Sequence, residues 1–162
     1  MKSVSMGSVF LFLISLLVAL ILEVAPLTEA LHGWRPFWLA LTLAYWALET
    51  SRGGSLLLAW LVGLLQGVLY GSLLGLHALF LVIVVFAIQR FQQRLRMFPV
   101  WQQALFLTIV FALGQLLMFW LDVLTGTPKL LLQYMVPALV SGLLWPWFYL
   151  ALHTLHRLLL RR

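Results

Sequence analysis

Four carboxylates are the groups of this chain that could carry acid–base chemistry: Glu23, Glu29, Glu49 and Asp122. A paired-carboxylate centre needs two such groups close together, in environments that separate their protonation states. Here each acid lies at the end of a long apolar stretch or in a loop. We therefore interpret all four as solvated charges at a membrane interface and expect no enzymatic activity. A membrane domain without a buried charge also lacks the usual equipment for ion-coupled transport.

The histidines are the next candidates. His153 and His156 are three residues apart on a predicted helix, so their imidazoles could share one face. Two ligands are fewer than a structural zinc site needs, and the sequence contains no cysteine. We expect these side chains to make contacts at the membrane interface, and we expect no metal or cofactor. His77 is interpreted as a packed polar residue.

The charges also outline the elements that must position these groups. The fourteen charged residues leave five long uncharged intervals, 3–22, 36–48, 53–89, 97–121 and 130–156. About 20 apolar residues are enough for a helix to cross the hydrocarbon core of a bilayer. With 64% hydrophobic residues, the pattern predicts an all-α membrane protein with a single domain over residues 1–162. The net charge of +6 then indicates arginines facing anionic lipid, not a nucleic acid partner.

The interval 53–89 decides how many helices there are. As one helix it would be about 55 Å long, nearly twice the hydrocarbon thickness, so it must reverse. Its turn-like stretch is 70–75. The sequence therefore predicts six spans, at approximately 7–24, 36–50, 54–70, 75–90, 99–121 and 133–156. The second, third and fourth are short, and we expect them to be tilted or shielded by their neighbours.

The basic residues give the orientation. With the N-terminus in the cytoplasm, the outer side receives only Arg35 and Lys129, as the positive-inside rule requires. The inner side collects Lys2, Arg52, Arg90, Arg94, Arg96, Arg157, Arg161 and Arg162. Six of these arginines (90, 94, 96, 157, 161 and 162) are expected to contact lipid headgroups. A five-span arrangement with the N-terminus outside satisfies the charges almost as well, and helix length favours six. The run 3–22 is interpreted as an uncleaved span, because Pro26 and Glu29 stand where a signal peptide would be cleaved.

Two surfaces could receive a partner helix. Gly63, Gly67, Gly71 and Gly75 form a ladder that would let another backbone approach closely. The alternative, which we favour, is packing within the chain followed by a turn at the last two glycines.

The second surface surrounds Pro146, which should kink the last span between Trp145 and Trp147. Docking of a partner and internal packing are equally compatible with that pattern. Gln66 and Gln115 are the large polar groups nearest mid-membrane, where an amide usually bonds to a neighbouring helix. Trp46 and Trp101 suit an aromatic belt at the inner boundary.

Four segments in register resemble one protein family. They are Arg35-Pro36-x-Trp38 leading to Ala44-Tyr45-Trp46, Gly71-Ser72-x-Leu74-Gly75, Trp101-Gln102-Gln103-Ala104-Leu105 with Phe119-Trp120, and Gly142-x-Leu144-Trp145-Pro146-Trp147. In this order and spacing, over about 34–150, they are similar to MreD in its proteobacterial form, the rod shape-determining membrane protein family. Many members carry acidic residues where this chain has Gly67 and Gln115.

The resemblance implies a multi-pass protein of the bacterial inner (cytoplasmic) membrane with six spans and both termini in the cytoplasm. Its fold would be similar to that of the S-components of vitamin transporters. It would be a non-enzymatic scaffold for lateral peptidoglycan synthesis that binds MreC and, through it, RodA with its transpeptidase, RodZ and MreB. The alternative is a protein that binds or transports a small molecule or lipid precursor, with Gln66, Gln115, Ser141 and His77 lining its pocket.

Overall fold

The computed structural model describes residues 6–26, 28–49 and 56–160, without the side chains of His32 and Leu160. Across these residues the chain is helical and contains no strand. The helices are α1 (Met6–Val24), α2 (Trp38–Glu49), α3 (Leu56–Tyr70), α4 (Leu76–Met97), α5 (Val100–Thr125) and α6 (Leu131–Leu160), with a 3₁₀ helix at Glu29–Trp34 before α2. The all-α prediction is confirmed. Lys2, Arg52, Arg161 and Arg162 lie outside the described residues.

Four helices are long and apolar enough to cross a bilayer, namely Met6–Val24, Leu76–Met97, Val100–Thr125 and Leu131–Leu159. Helix α3 is a shorter apolar helix. Five of the predicted spans agree with a helix to within a few residues, but the prediction of a short fourth span is wrong. Helix α4 continues to Met97 and ends only where Phe98 becomes extended before Pro99, because a proline disfavours helical backbone in the residue that precedes it.

Helix α2 lies at the centre of the fold. It has 12 residues, and every residue from Leu39 to Leu48 is buried. At about 18 Å it is shorter than the hydrocarbon core. Helices α1, α4 and α6 pack around it. The prediction that this short helix is shielded by its neighbours is confirmed.

The C-terminal carbonyls of α2 are bonded by side chains of α4. Gln92 Nε2 donates to the carbonyl oxygens of Ala47 at 2.9 Å and Leu48 at 3.1 Å. Arg96 donates from Nε to Leu48 O at 2.7 Å and from Nη2 to Glu49 O at 2.9 Å. The last carbonyls of a helix have no partner within it, so these bonds complete α2. Arg96 therefore has a structural role that the sequence analysis did not predict, although it is exposed like Arg90, Arg94 and Arg157.

Small residues allow the helices to approach each other closely. Gly63 of α3 lies against the backbone of Ala78 in α4, where a Cβ would overlap the Cα of Ala78. Gly142 of α6 lies against the side chain of Thr108 in α5, where a Cβ would overlap Oγ1. Such contacts are typical of helix packing in membranes, where van der Waals fit drives association.

The glycine ladder has the intramolecular arrangement that we favoured. Gly63 and Gly67 are buried inside the chain, so they do not form an exposed stripe. Gly71 and Gly75 have φ values of 59° and 100° in the reversal between α3 and α4. The predicted turn is confirmed, and it uses glycine because other residues rarely adopt positive φ.

The two tryptophans beside Pro146 have different surroundings. Pro146 lies inside α6, which is helical throughout 131–160. Trp145 is 1% exposed and donates from Nε1 to Gln103 Oε1 at 3.3 Å. Trp147 is 74% exposed. Trp145 therefore packs internally, whereas Trp147 lies on the surface, and docking of a partner there stays a prediction.

We predict that Gly63→Ala destabilises the protein by about 1–3 kcal/mol, because the added methyl group forces α3 away from α4. The measurement is thermal unfolding of the purified protein in detergent. Gly33→Ala is the matched control, since a Cβ at Gly33 meets no atom within 4 Å. Equal unfolding temperatures for the two variants would show that α3 and α4 are not held this closely.

Candidate functional site

A cavity of about 360 Å³ lies at one end of the bundle. At this end α1, α3 and α5 finish and α2, α4 and α6 begin, and each helix contributes a residue to the lining. The polar lining residues are Glu23, Arg35, Gln66, Tyr70, Ser72, His77, Gln115, Asp122, Lys129 and Tyr134. Groups that are scattered along the sequence thus meet at one place.

Glu23 is the most deeply placed charge of this cavity, at 6% exposure. Its Oε2 accepts a hydrogen bond from Leu39 N at 3.2 Å, and its Oε1 accepts one from Gln66 Nε2 at 3.0 Å. Leu39 is in the first turn of α2, where backbone N–H groups lack partners within the helix and the helix dipole favours an anion. The carboxylate therefore caps α2. The interpretation of Glu23 as a solvated interfacial charge is wrong, because the chain around it closes over the end of α1.

Arg35 caps the C-terminal end of α1. Its Nη1 donates to the carbonyl oxygen of Glu23 at 3.1 Å and its Nη2 to that of Ala25 at 2.7 Å. Tyr70 adds a third bond, donating to Glu23 O at 2.9 Å. The Nε of Arg35 is buried and has no hydrogen-bond partner among the described residues. Arg35 is thus fixed by the backbone that carries Glu23.

Two carboxamides extend the polar lining into the bundle. Gln66 and Gln115 are 5% and 8% exposed. A carboxylate only accepts, so Gln66 must direct its Nε2 toward Glu23. Its Oε1 is then buried without a partner in the described part of the chain. Gln115 forms no hydrogen bond with any described residue.

Four of the remaining polar groups are bonded in pairs. His77 Nδ1 is 2.9 Å from Ser72 Oγ, and the His77 ring stacks on Tyr70 with centroids 5.4 Å apart. Tyr134 donates to Asp122 Oδ2 across the ends of α5 and α6. The packed polar role predicted for His77 is confirmed.

Three of the four residues predicted to line a pocket are found here: Gln66, Gln115 and His77. Ser141 is elsewhere, fully buried. Its Oγ accepts from Phe37 N at 2.8 Å and donates to Pro137 O at 2.7 Å. The sequence analysis placed neither Glu23 nor Arg35 in this cavity, although Arg35 belongs to a segment of the family resemblance. The sequence did contain a signal for their pairing, because the two opposite charges flank a short loop between two apolar stretches.

The opposite end of the bundle holds a second polar cluster. Tyr149 donates to Glu49 Oε1 at 3.0 Å, and His153 Nδ1 is 3.7 Å from the same oxygen. Tyr45 OH is 3.2 Å from His156 Nδ1. Both histidines thus contact protein groups. Within 6–26, 28–49 and 56–160, no three side chains of His, Cys, Asp or Glu are grouped so as to hold a metal ion.

The residues of the family resemblance are mainly structural. Trp46 is 3% exposed and donates to Ser15 Oγ at 3.0 Å, so its prediction as a membrane-belt residue is wrong. Gln103 donates to Leu95 O at 2.9 Å and accepts from Trp145, which joins the α4–α5 junction to α6. Trp101 is 64% exposed, as a belt residue would be. Pro36 and Gln102 are half-buried.

We predict that Glu23→Leu destabilises the protein, because Leu39 N–H and Gln66 Nε2 lose their acceptor. A buried donor without a partner costs about 1–3 kcal/mol. The measurement is the unfolding temperature in detergent, with Glu29→Leu as the control, because Glu29 is exposed near the same end of the bundle. If the two variants have the same unfolding temperature, the Glu23 carboxylate does not stabilise α2.

Comparison with known proteins agrees with the resemblance in the sequence. The sequence model of the family described as rod shape-determining protein MreD matches residues 4–155. The chain is 32% identical to the rod shape-determining protein MreD of Haemophilus influenzae over 148 residues, which cover 91% of each chain. No solved structure matches it. The chain therefore belongs to the MreD family of rod shape-determining proteins.

Proposed function

We propose that the protein is a non-enzymatic membrane scaffold for lateral peptidoglycan synthesis that binds MreC and so maintains rod shape. Membership of the rod shape-determining family over residues 4–155 is the observation that carries this proposal. The chemistry of the described residues supports it. Glu23 and Glu49 bond to helix ends and to tyrosine or amide groups, which suits a structural role better than catalysis. RodA with its transpeptidase, RodZ and MreB would be reached through MreC.

The proposed arrangement is six crossings of the inner membrane with both termini in the cytoplasm. The exposed Arg90, Arg94 and Arg157 are all at the end of the bundle opposite the cavity. Basic residues prefer the cytoplasmic side. The cavity, with Arg35 and Lys129, would then open toward the outer face.

This orientation predicts which residues can be labelled from outside the cell. The chain has no cysteine, so any labelling of a single-cysteine variant occurs at the introduced residue. Leu74→Cys in the α3–α4 turn, where Leu74 is 73% exposed, should react with a membrane-impermeant maleimide in spheroplasts. Gln93→Cys, at an exposed position at the other end of α4, should react only after permeabilisation. Labelling of Gln93→Cys in spheroplasts, with Leu74→Cys labelled only after permeabilisation, would show that the protein has the opposite orientation in the membrane.

The proposed docking surface for the single span of MreC is one face of α6. Leu139, Leu143, Trp147 and Leu150 are 54%, 75%, 74% and 54% exposed. Their spacing places them on the same side of the helix. Large aromatic residues often dominate binding energy, and helix association in lipid depends on close packing. Gly63, Gly67 and Trp145 are buried and Gly71 lies in the α3–α4 turn, so Trp147 is the large side chain among the candidates that a partner can reach.

We predict that Trp147→Ala weakens co-purification of MreC by about tenfold or more, the size expected for a residue at the centre of an interface. It should also fail to restore rod shape in cells that lack the protein. Trp60→Ala is the matched control, because Trp60 is 46% exposed on α3. Both variants should keep the parental unfolding temperature. Undiminished recovery of MreC with Trp147→Ala would remove this face of α6 from the proposal.

A further inference from the structure

The two carboxamides of the cavity have hydrogen-bonding capacity that the described protein does not use. Each amide can donate two hydrogen bonds and accept two. Gln66 uses its Nε2 on Glu23 and leaves Oε1 without a partner, and no described residue bonds to Gln115. Both residues are more than nine-tenths buried. The Gln66 oxygen is a buried polar atom without a partner, which costs free energy, and the unbonded Gln115 amide lines the cavity.

The charged side chains around these amides are equal in number and opposite in sign. The Glu23 carboxylate accepts from Leu39 N and Gln66, and the Asp122 carboxylate accepts from Tyr134. Arg35 donates from Nη1 and Nη2 to two backbone carbonyls, and its Nε is buried without a partner among the described residues. The lining contains two acidic and two basic residues, the second basic residue being Lys129. A ligand with a net charge would disturb this balance, so the lining favours an uncharged one.

The rest of the lining suits a compact apolar body. Phe37, Phe80, Leu81 and Met118 contribute to the wall. Small-molecule sites are commonly apolar cavities of about 300–1,000 Å³ with a few polar groups that fix the orientation of the ligand. The volume of about 360 Å³ is in that range.

We propose that this cavity binds a small uncharged molecule that presents a hydrogen-bond donor and an acceptor side by side, attached to a ring-sized apolar body. An amide, a lactam and an amino-substituted heterocycle share this chemistry. A carboxamide is complementary to such an edge, since each partner donates once and accepts once. Gln115 would bind the edge, and the phenylalanines and Met118 would hold the ring. This site is independent of the proposed scaffold role.

Three probes of nearly equal shape separate the possibilities. Benzamide is neutral and carries the donor–acceptor edge, benzoate is its anionic counterpart, and benzamidine its cationic one. At about ten times its dissociation constant, benzamide should raise the unfolding temperature of the purified protein by about 3 °C. Benzoate and benzamidine should raise it much less. Equal shifts with all three probes, or none with benzamide up to its solubility limit, would overturn the proposal.

Variants of Gln115 assign the effect to the cavity. Gln115→Met keeps the size of the side chain and removes its hydrogen bonds, so the benzamide shift should disappear. The variant should stay folded, because no described residue depends on that amide. Gln93→Met makes the same chemical change at an exposed position at the opposite end of the bundle and should keep the full shift.

Gln115→Glu supplies a second test, in which a different probe is expected to bind. A carboxylate in place of the amide should transfer the preference from benzamide to benzamidine. Retention of the full benzamide shift in both Gln115 variants would place the binding elsewhere and overturn the proposal. These measurements use the protein without MreC. A negative result would therefore not contradict the proposed binding of MreC.

Discussion

A short helix that is buried along most of its length depends on protein partners for the backbone groups at its two ends. Helix α2 is that element, and the fold is organised around its two ends. At the N-terminal end, Glu23 accepts from Leu39 N and Ser141 accepts from Phe37 N. At the C-terminal end, Gln92 and Arg96 donate to the last carbonyls. These bonds draw α1, α4 and α6 against α2, and they place ionisable and amide groups deep in an apolar molecule.

The positions of the helices were largely predictable, because charge is excluded from apolar spans and glycine adopts positive φ without strain. The spacing of charged residues predicted five helices to within a few residues. The exception was α4, whose arginines after residue 89 suggested an end. A helix continues through charged residues as long as its backbone is unbroken, and here it continues until the residue before Pro99. Charge indicates the membrane boundary, whereas backbone chemistry determines where a helix stops.

The site was predictable only in part, for a related reason. Gln66 and Gln115 stood out because an amide in an apolar stretch is unusual, and both line the cavity. Glu23 did not stand out, because a charged residue at the end of an apolar stretch is usually solvated. Whether such a residue meets solvent depends on what folds over it, here the segment leading to Arg35. The same limit applied to Trp145 and Trp147, which no sequence pattern distinguishes and which the rotation of α6 separates.

The burial of α2 also bears on how the protein is made. A ribosome delivers α2 to the membrane early, whereas α4 and α6, which cover it, are synthesised later. Its first helical turn is completed partly by Ser141, whose bond to Phe37 joins positions 104 residues apart. Until the last helix has entered the bilayer, these backbone groups need water or an insertion factor as a temporary partner. The N-terminal end of α2 is thus completed only when α6 has packed against it, and a chain that stops before α6 would lack the Ser141 acceptor.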